Sequence, residues 1–143
     1  MSYDIGIPLL MLIAPAADPL RQAGDVAAAL ASVQRRARQW GADPGRTILM
    51  GHSAGAHLVA LLGSDPTGLL RKASARRPLG VGALDGGALD VPALMGQPRL
   101  PQLYRDAFGS DPAYWRSVSP QQQLDRDGLP MLLVCSGTRR VPT

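Results

Sequence analysis

The chain has 143 residues, of which 45% are apolar and 4% aromatic, enough for one domain with an aliphatic core. Fifteen basic residues against eleven acidic ones give a net charge of +4. The basic residues are dispersed without interleaved aromatics, which indicates a solvated surface, with nucleic-acid binding as the distant alternative. Cys135 is the single cysteine, which excludes an internal disulfide, and the sequence has no Cys/His cluster with metal-ligand spacing. We therefore expect neither a metal nor another cofactor.

An apolar run at residues 5–17 has the character of a secretion-signal core. No positive charge precedes it, Pro8 and Pro15 interrupt it, and it is too short to cross a bilayer. The run therefore predicts a strand over residues 5–13, no membrane segment, and a cytoplasmic location.

Residues 19–40 have the periodicity of a helix. Asp18 suits the N-cap, Pro19 suits the first turn, and Gly41 is a natural stop. Apolar residues recur at helical spacing at Val26, Leu30, Val33, Ala37 and Trp40. This stripe is expected to face the core, whereas Gln34 lies off it.

The pentapeptide Gly51-His52-Ser53-Ala54-Gly55 has the pattern G-x-S-x-G. The apolar run before it, residues 46–50, predicts a buried parallel strand. The run after it, residues 54–63, is apolar nearly all round and predicts a helix that covers the sheet. A serine at such a strand–turn–helix junction is typical of a nucleophile elbow, in which both glycines let the strand and helix backbones approach closely. Ser53 is therefore predicted to be a nucleophile.

The rest of the chain contains further predicted strands and short helices. Strands are predicted at 79–84 and 129–135, and helical segments at 101–107 and 112–116, within an otherwise irregular region at 85–128. Strands that alternate with helices predict the α/β class with a parallel sheet. Cys135 is expected to be a small buried residue near the end of the last strand.

The segment from Gly41 to Leu58 carries a family resemblance. An Asp-Pro-x-Arg lead at 43–46, a strand, Gly-His-Ser-Ala-Gly and then His57-Leu58 resemble the α/β-hydrolase superfamily, in its small carboxylesterase branch. That branch includes hormone-sensitive-lipase-like esterases and kynurenine formamidases. Weaker matches extend the resemblance over most of residues 12–136, which corresponds to the middle of a family member about twice as long.

The resemblance implies a partial α/β-hydrolase fold, a parallel sheet flanked by helices, as one domain over residues 1–143. Residues 85–128 would form a cap-like segment, and the family's N-terminal strands and its last strand and helix would be missing. It implies acyl transfer to Ser53 from a small ester or N-formyl amide, with the N–H of Ala54 in the oxyanion hole. The expected partner is this small-molecule substrate, with no nucleic acid or membrane; the oligomeric state is left open.

Other parts of the family's machinery have no counterpart here. There is no His-Gly-Gly loop before the pentapeptide, and residues 136–143 contain no Asp, Glu or His to match the family's acid and histidine. His52 precedes the serine and should point away from it, and His57 follows one helical turn later, so both are predicted to be structural. Asp85 and Asp90 lie at or beyond the end of strand 79–84, at the edge where such sheets bind ligands. For these two aspartates a structural role is favoured over a catalytic one.

Three interpretations follow. The first is a serine hydrolase of the carboxylesterase type. The second is a catalytically incomplete, non-enzymatic fragment of one, and the third is a chain completed by a partner that supplies the missing segment. In the family, one more strand lies between those matching residues 5–13 and 46–50, so the sheet here must close up or leave an open edge.

Overall fold

In this computed structural model, residues 18–65 and 67–137 are described, and their sheet has three parallel strands. The strands are β1 (Ile48–His52), β2 (Gly80–Leu84) and β3 (Met131–Val134), in the spatial order β1-β2-β3. The register aligns Met50 with Gly82 and Gly82 with Leu132, so all three strands end at one edge of the sheet. The predicted parallel α/β sheet is confirmed. Strand 5–13 lies outside the described residues.

Most helices lie where the sequence has helical hydrophobic periodicity or a residue suited to the helix N-cap. They are α1 (Pro19–Arg36), continued by a 3-10 helix (Ala37–Trp40), then α2 (Ala54–Ser64), α3 (Leu69–Lys72), α4 (Val91–Met95), α5 (Gln102–Phe108), α6 (Pro112–Ser117) and α7 (Pro120–Gln123). Helices α2, α5 and α6 match the predicted segments. Helices α3, α4 and α7 were not predicted, because four or five residues are too few for a periodic pattern.

Helix α1 begins as predicted but turns a different face inward. The Asp18 side chain accepts a hydrogen bond from the Arg21 N–H at 3.0 Å, and Gly41 ends the segment with φ +72°. The buried residues of α1 are Pro19, Ala23, Ala27, Leu30, Ala31 and Gln34. Leu30 and Ala37 of the predicted stripe are buried, but the prediction was wrong for Val33 and Trp40, which are 40% and 52% exposed. Small alanines let α1 lie close to α2, and the 3-10 turn breaks the 3.6-residue period before Trp40.

Gln34, expected on the solvent side, instead joins three segments of the chain. Its amide nitrogen donates to Thr47 Oγ1 and to the Arg76 carbonyl, and its amide oxygen accepts from the Arg76 N–H at 2.7 Å. The side chain is buried with its polar atoms satisfied, which explains how a polar residue occupies this position. These bonds fix the end of α1 against the approaches to β1 and β2.

Helix α2 is the centre of the core. It packs on β1 and β2 and against α1, so its residues from Ala56 to Ser64 are buried on every side. Leu61 and Leu62 are fully buried and meet Ala27 and Leu30 of α1. The nearly uniform apolar character of this segment therefore reflects burial from all directions, as predicted.

Strand β1 is two residues later than predicted and only half buried. Leu49 packs beneath α2, but Ile48 is 66% exposed and Met50 is 64% exposed on the other face. The expectation of a fully buried strand was wrong, because none of the described elements covers that face. Cys135, just after β3, is also exposed, so the expectation that it is buried was wrong. No helix among the described ranges is both long and apolar enough to cross a membrane.

Candidate active site

Ser53 forms the turn between β1 and α2. Its backbone has φ +54° and ψ −115°, a conformation that costs an L-residue about 1–3 kcal/mol. The Ser53 N–H donates to the Leu84 carbonyl at 2.9 Å, which extends the β1–β2 pairing up to the turn. The residue is exposed, and its side chain does not cap the helix. The hydroxyl is thus presented at the carboxyl edge of the sheet.

Gly51 makes this sharp turn possible. A Cβ at Gly51 would lie 2.2 Å from the Gly55 carbonyl oxygen and 2.9 Å from the Ala56 nitrogen. These are backbone atoms of the first turn of α2, so they cannot move independently of the helix. At Gly55, by contrast, an added Cβ would meet nothing within 4 Å. The prediction that both glycines are needed for close approach was wrong for Gly55: the tight contact is between Gly51 and the Gly55 carbonyl.

The first residues of α2 lie directly behind Ser53. The Ser53 carbonyl accepts the N–H groups of Ala56 and His57 at 3.1 and 3.4 Å. The N–H of Ala54, the first helical residue, has no partner within the helix, and the helix dipole gives this end partial positive character. This N–H is chemically suited to bind an oxyanion.

His57 is buried, and its side chain contacts the segment that follows β2. It is 5% exposed, its Nε2 lies 2.8 Å from the Val118 carbonyl oxygen, and its ring meets Phe108 edge to face at 5.4 Å. These contacts join α2 to a second apolar cluster, formed by Ala88, Val91, Leu94, Leu100, Phe108 and Val118. The position is that of a packing histidine. Residues 85–128 are accordingly less irregular than expected, since they form four short helices, of which α4, α5 and α6 pack around this cluster.

Burial lowers the pKa of His57 below its ordinary value of 6.5, against an opposing effect of the bond to the Val118 carbonyl. The unfolded chain therefore takes up a proton at a higher pH than the folded chain does. We expect the contribution of His57 to the free energy of unfolding to be constant above pH 6.5 and to fall as the pH drops from 6.5 toward the folded-state pKa. Urea titrations of the wild type and His57→Gln over this range would measure it. The difference between the two proteins should shrink with falling pH; a constant difference would contradict the prediction.

A cluster that the sequence did not reveal lies at the ends of the three strands. The carboxylate of Asp85, one residue after β2, accepts the Ser136 N–H and the Ser136 hydroxyl, each at 2.6 Å. Its Oδ2 also lies 3.4 Å from His52 Nε2, at the end of β1. The hydrogen bonds from Ser136, first the hydroxyl and then the N–H, and the nearby His52 lower the pKa of Asp85. Parallel register thus brings Asp85 and His52 to the edge of the sheet that carries Ser53.

Asp90, the second aspartate considered, has a simpler role. Its Oδ1 accepts the Ala93 N–H at 3.3 Å and caps α4. The chain has no other acidic residue between Asp85 and Asp106, so Asp85 is the carboxylate that β2 brings to the Ser53 edge.

The described residues also form a cavity of about 250 Å³, but it lies at the opposite end of α2 from Ser53. The cavity is lined by Ser64 and Asp65, among others, at the C-terminal end of α2. Because α2 has eleven residues, this end lies about 16 Å from the end that carries Ser53. The surface around Ser53 is open. No group of three or more His, Cys or Asp side chains in the described ranges could hold a metal ion.

Part of the chain matches a known protein family. Residues 14–73, from before α1 to the end of α3, match the BD-FAE family model. No curated protein matches the chain at a significant level. The matched region contains the whole β1–Ser53–α2 unit.

Solved structures of esterases share the fold. C6-C4 SN3-inhibited esterase B from Lactobacillus rhamnosis is 21% identical, with a TM-score of 0.64, over 86% of this chain and 43% of that one. A carboxylesterase candidate from Lactobacillus plantarum WCFS1 is 18% identical, with a TM-score of 0.63, over 83% of this chain and 46% of that one.

The chain thus spans less than half the length of these proteins. At this identity the likeness shows the fold alone, and it confirms the predicted partial α/β-hydrolase fold. The described residues therefore form part of an α/β-hydrolase fold.

Proposed function

We propose that this chain is a serine hydrolase of the carboxylesterase type that acts on small acyl esters or N-formyl amides through an acyl-Ser53 intermediate. The observation that carries the proposal is the conformation of Ser53. Ser53 lies between a parallel strand and a helix N-terminus, with its backbone strained at φ +54°. Its side chain is exposed and does not cap the helix, so capping does not account for the strain. Strain of this kind is typical of functional residues.

In the proposed reaction, Ser53 Oγ attacks the acyl carbonyl carbon. The carbonyl π electrons move to oxygen, and the N–H of Ala54 donates to that oxyanion, supported by the dipole of α2. The carbon–oxygen bond to the alcohol breaks, and the alcohol leaves with the proton that Ser53 gave up. Water then hydrolyses the acyl-serine and restores the hydroxyl.

A second candidate is a non-catalytic role in which the turn is only a scaffold. The observation that favours it is that the two histidine side chains of the described residues are in contact with groups other than the Ser53 hydroxyl. His57 is engaged by the Val118 carbonyl, and the contact partner of His52 is Asp85. Without a base, serine turnover falls by several orders of magnitude.

Hydrolysis of p-nitrophenyl acetate by the wild type and by Ser53→Ala separates these candidates. We expect a wild-type rate well above the buffer rate and a Ser53→Ala rate equal to the buffer rate, because the variant lacks the attacking oxygen. Intact-mass analysis should show acetylation of the wild type alone. Equal rates for the two proteins would refute the enzymatic proposal.

A further inference from the structure

The cavity at the C-terminal end of α2 combines an apolar wall with charged groups. Its apolar wall consists of buried leucines from three segments, Leu62, Leu70 and Leu129. Its charged lining comprises Asp65, Arg71, Arg77, Asp125 and Asp127. At about 250 Å³ the cavity is smaller than the roughly 300–1,000 Å³ of pockets for drug-sized ligands, so its size suits a small molecule.

The two guanidinium groups of the cavity are not used by the fold. Within residues 18–65 and 67–137, neither Arg71 nor Arg77 forms an ion pair or donates a side-chain hydrogen bond. The Arg71 guanidinium lies against Gly68, where an added Cβ would be 3.1 Å from Nη2. Guanidinium groups bind carboxylates through parallel hydrogen bonds, so this side of the cavity suits the carboxylate of a ligand.

The three carboxylates of the cavity differ in what they already bind. Asp65 Oδ1 accepts the N–H groups of Leu69 and Leu70 at 2.6 and 3.4 Å. Asp125 Oδ1 accepts the Asp127 N–H at 2.8 Å. The Asp127 carboxylate itself accepts no hydrogen bond from any described residue. Asp127 is therefore the acid that can receive a donor from a ligand, and an ammonium group is such a donor.

We propose that this cavity binds a free α-amino acid with an aliphatic side chain. The ligand carboxylate accepts hydrogen bonds from Arg71 and Arg77, its ammonium group donates to Asp127, and its side chain contacts the buried leucines. A zwitterion satisfies the charges of both signs, whereas an anion or a cation alone leaves one sign without a partner. The site lies at the other end of α2 from Ser53, so it does not depend on the proposed hydrolysis.

Isothermal titration calorimetry of the full chain tests the proposal with three compounds that share one carbon skeleton. L-leucine carries both charges, isocaproate lacks the ammonium group, and isopentylamine lacks the carboxylate. We expect L-leucine to bind with one site per chain. Each analogue should bind at least about tenfold more weakly, because it loses a hydrogen bond between charged groups.

Substitutions at the two sides of the cavity should act on different groups of the ligand. Arg77→Gln should lower the affinity for L-leucine by about tenfold and bring it toward that for isopentylamine, because the carboxylate loses its partner. Asp127→Asn should lower it similarly and bring it toward that for isocaproate. Arg99→Gln and Asp25→Asn are the matched controls, since neither residue lines the cavity, and both should bind L-leucine as the wild type does.

Failure of L-leucine to bind, or equal affinities for L-leucine and either analogue, would overturn the proposal. An unchanged affinity for L-leucine in Arg77→Gln or in Asp127→Asn would also overturn it, because the ligand would then not contact the side chain assigned to it. Ser53→Ala should bind L-leucine as tightly as the wild type. Loss of binding in Ser53→Ala would place the ligand at the other end of α2 and overturn the proposal.

Discussion

Replacing Gly51 by alanine should lower the free energy of unfolding by more than about 3 kcal/mol, the range of the most damaging single substitutions. The added Cβ would lie 2.2 Å from the oxygen and 2.4 Å from the carbon of the Gly55 carbonyl. Both are backbone atoms, so relief requires α2 to move away from β1. Because α2 is the helix at the centre of the core, that movement would open contacts along its length. Urea unfolding followed by circular dichroism measures the effect.

Gly55→Ala is the matched control for Gly51→Ala. It makes the same chemical change four residues later, at a site where an added Cβ has nothing within 4 Å. Alanine also favours the helical conformation over glycine by up to about 1 kcal/mol. We expect Gly55→Ala to be as stable as the wild type or slightly more so. Similar losses in the two variants would show that the Gly51–Gly55 contact is not the reason for the glycine.

Replacing Ser53 by glycine should abolish hydrolysis and at the same time stabilise the fold. Glycine adopts a positive φ without steric cost, so the variant releases the strain of about 1–3 kcal/mol held at φ +54°. The greater freedom of glycine in the unfolded chain offsets up to about 1 kcal/mol of that gain. We expect a net increase of about 1 kcal/mol in unfolding free energy and no turnover of p-nitrophenyl acetate.

Ser53→Ala distinguishes backbone strain from loss of the hydroxyl. It removes the same oxygen but keeps a Cβ, so the strain remains, and its stability should lie within about 0.5 kcal/mol of the wild type. Both variants should be inactive, and only the glycine variant should be more stable. A glycine variant less stable than the alanine variant would show that the turn is relaxed for an L-residue and would weaken the argument from strain to function.

The local features of the chain were predictable because they depend on neighbours in sequence. Asp18 and Pro19 start α1, Gly41 ends the 3-10 turn that follows it, and the apolar run after Ser53 forms α2. The pentapeptide with its flanking runs also indicated the strand–turn–helix junction, since few sequences other than glycine-rich ones fit such a turn. From these residues alone, the α/β class and the position of Ser53 follow.

Other features depended on which elements meet in three dimensions. The inward face of α1 was misassigned because alanines, rather than the larger Val33 and Trp40, fit against α2. The burial of Gln34 depends on Arg76, 42 residues later in the chain. The exposure of Ile48 and Met50 depends on what covers the second face of the sheet, which no period in the sequence encodes.

Some residues of the candidate site were predictable from the sequence, and others were found only in the structure. The sequence by itself determined the nucleophile candidate, Ser53, the N–H of Ala54 behind it, and the fold class that presents them. Only the tertiary structure decided which acid and which histidine accompany them: it buries His57 against Val118 and joins His52, Asp85 and Ser136. The physical reason is register, because parallel pairing brings the ends of three strands, 84 residues apart from His52 to Ser136, to a single edge.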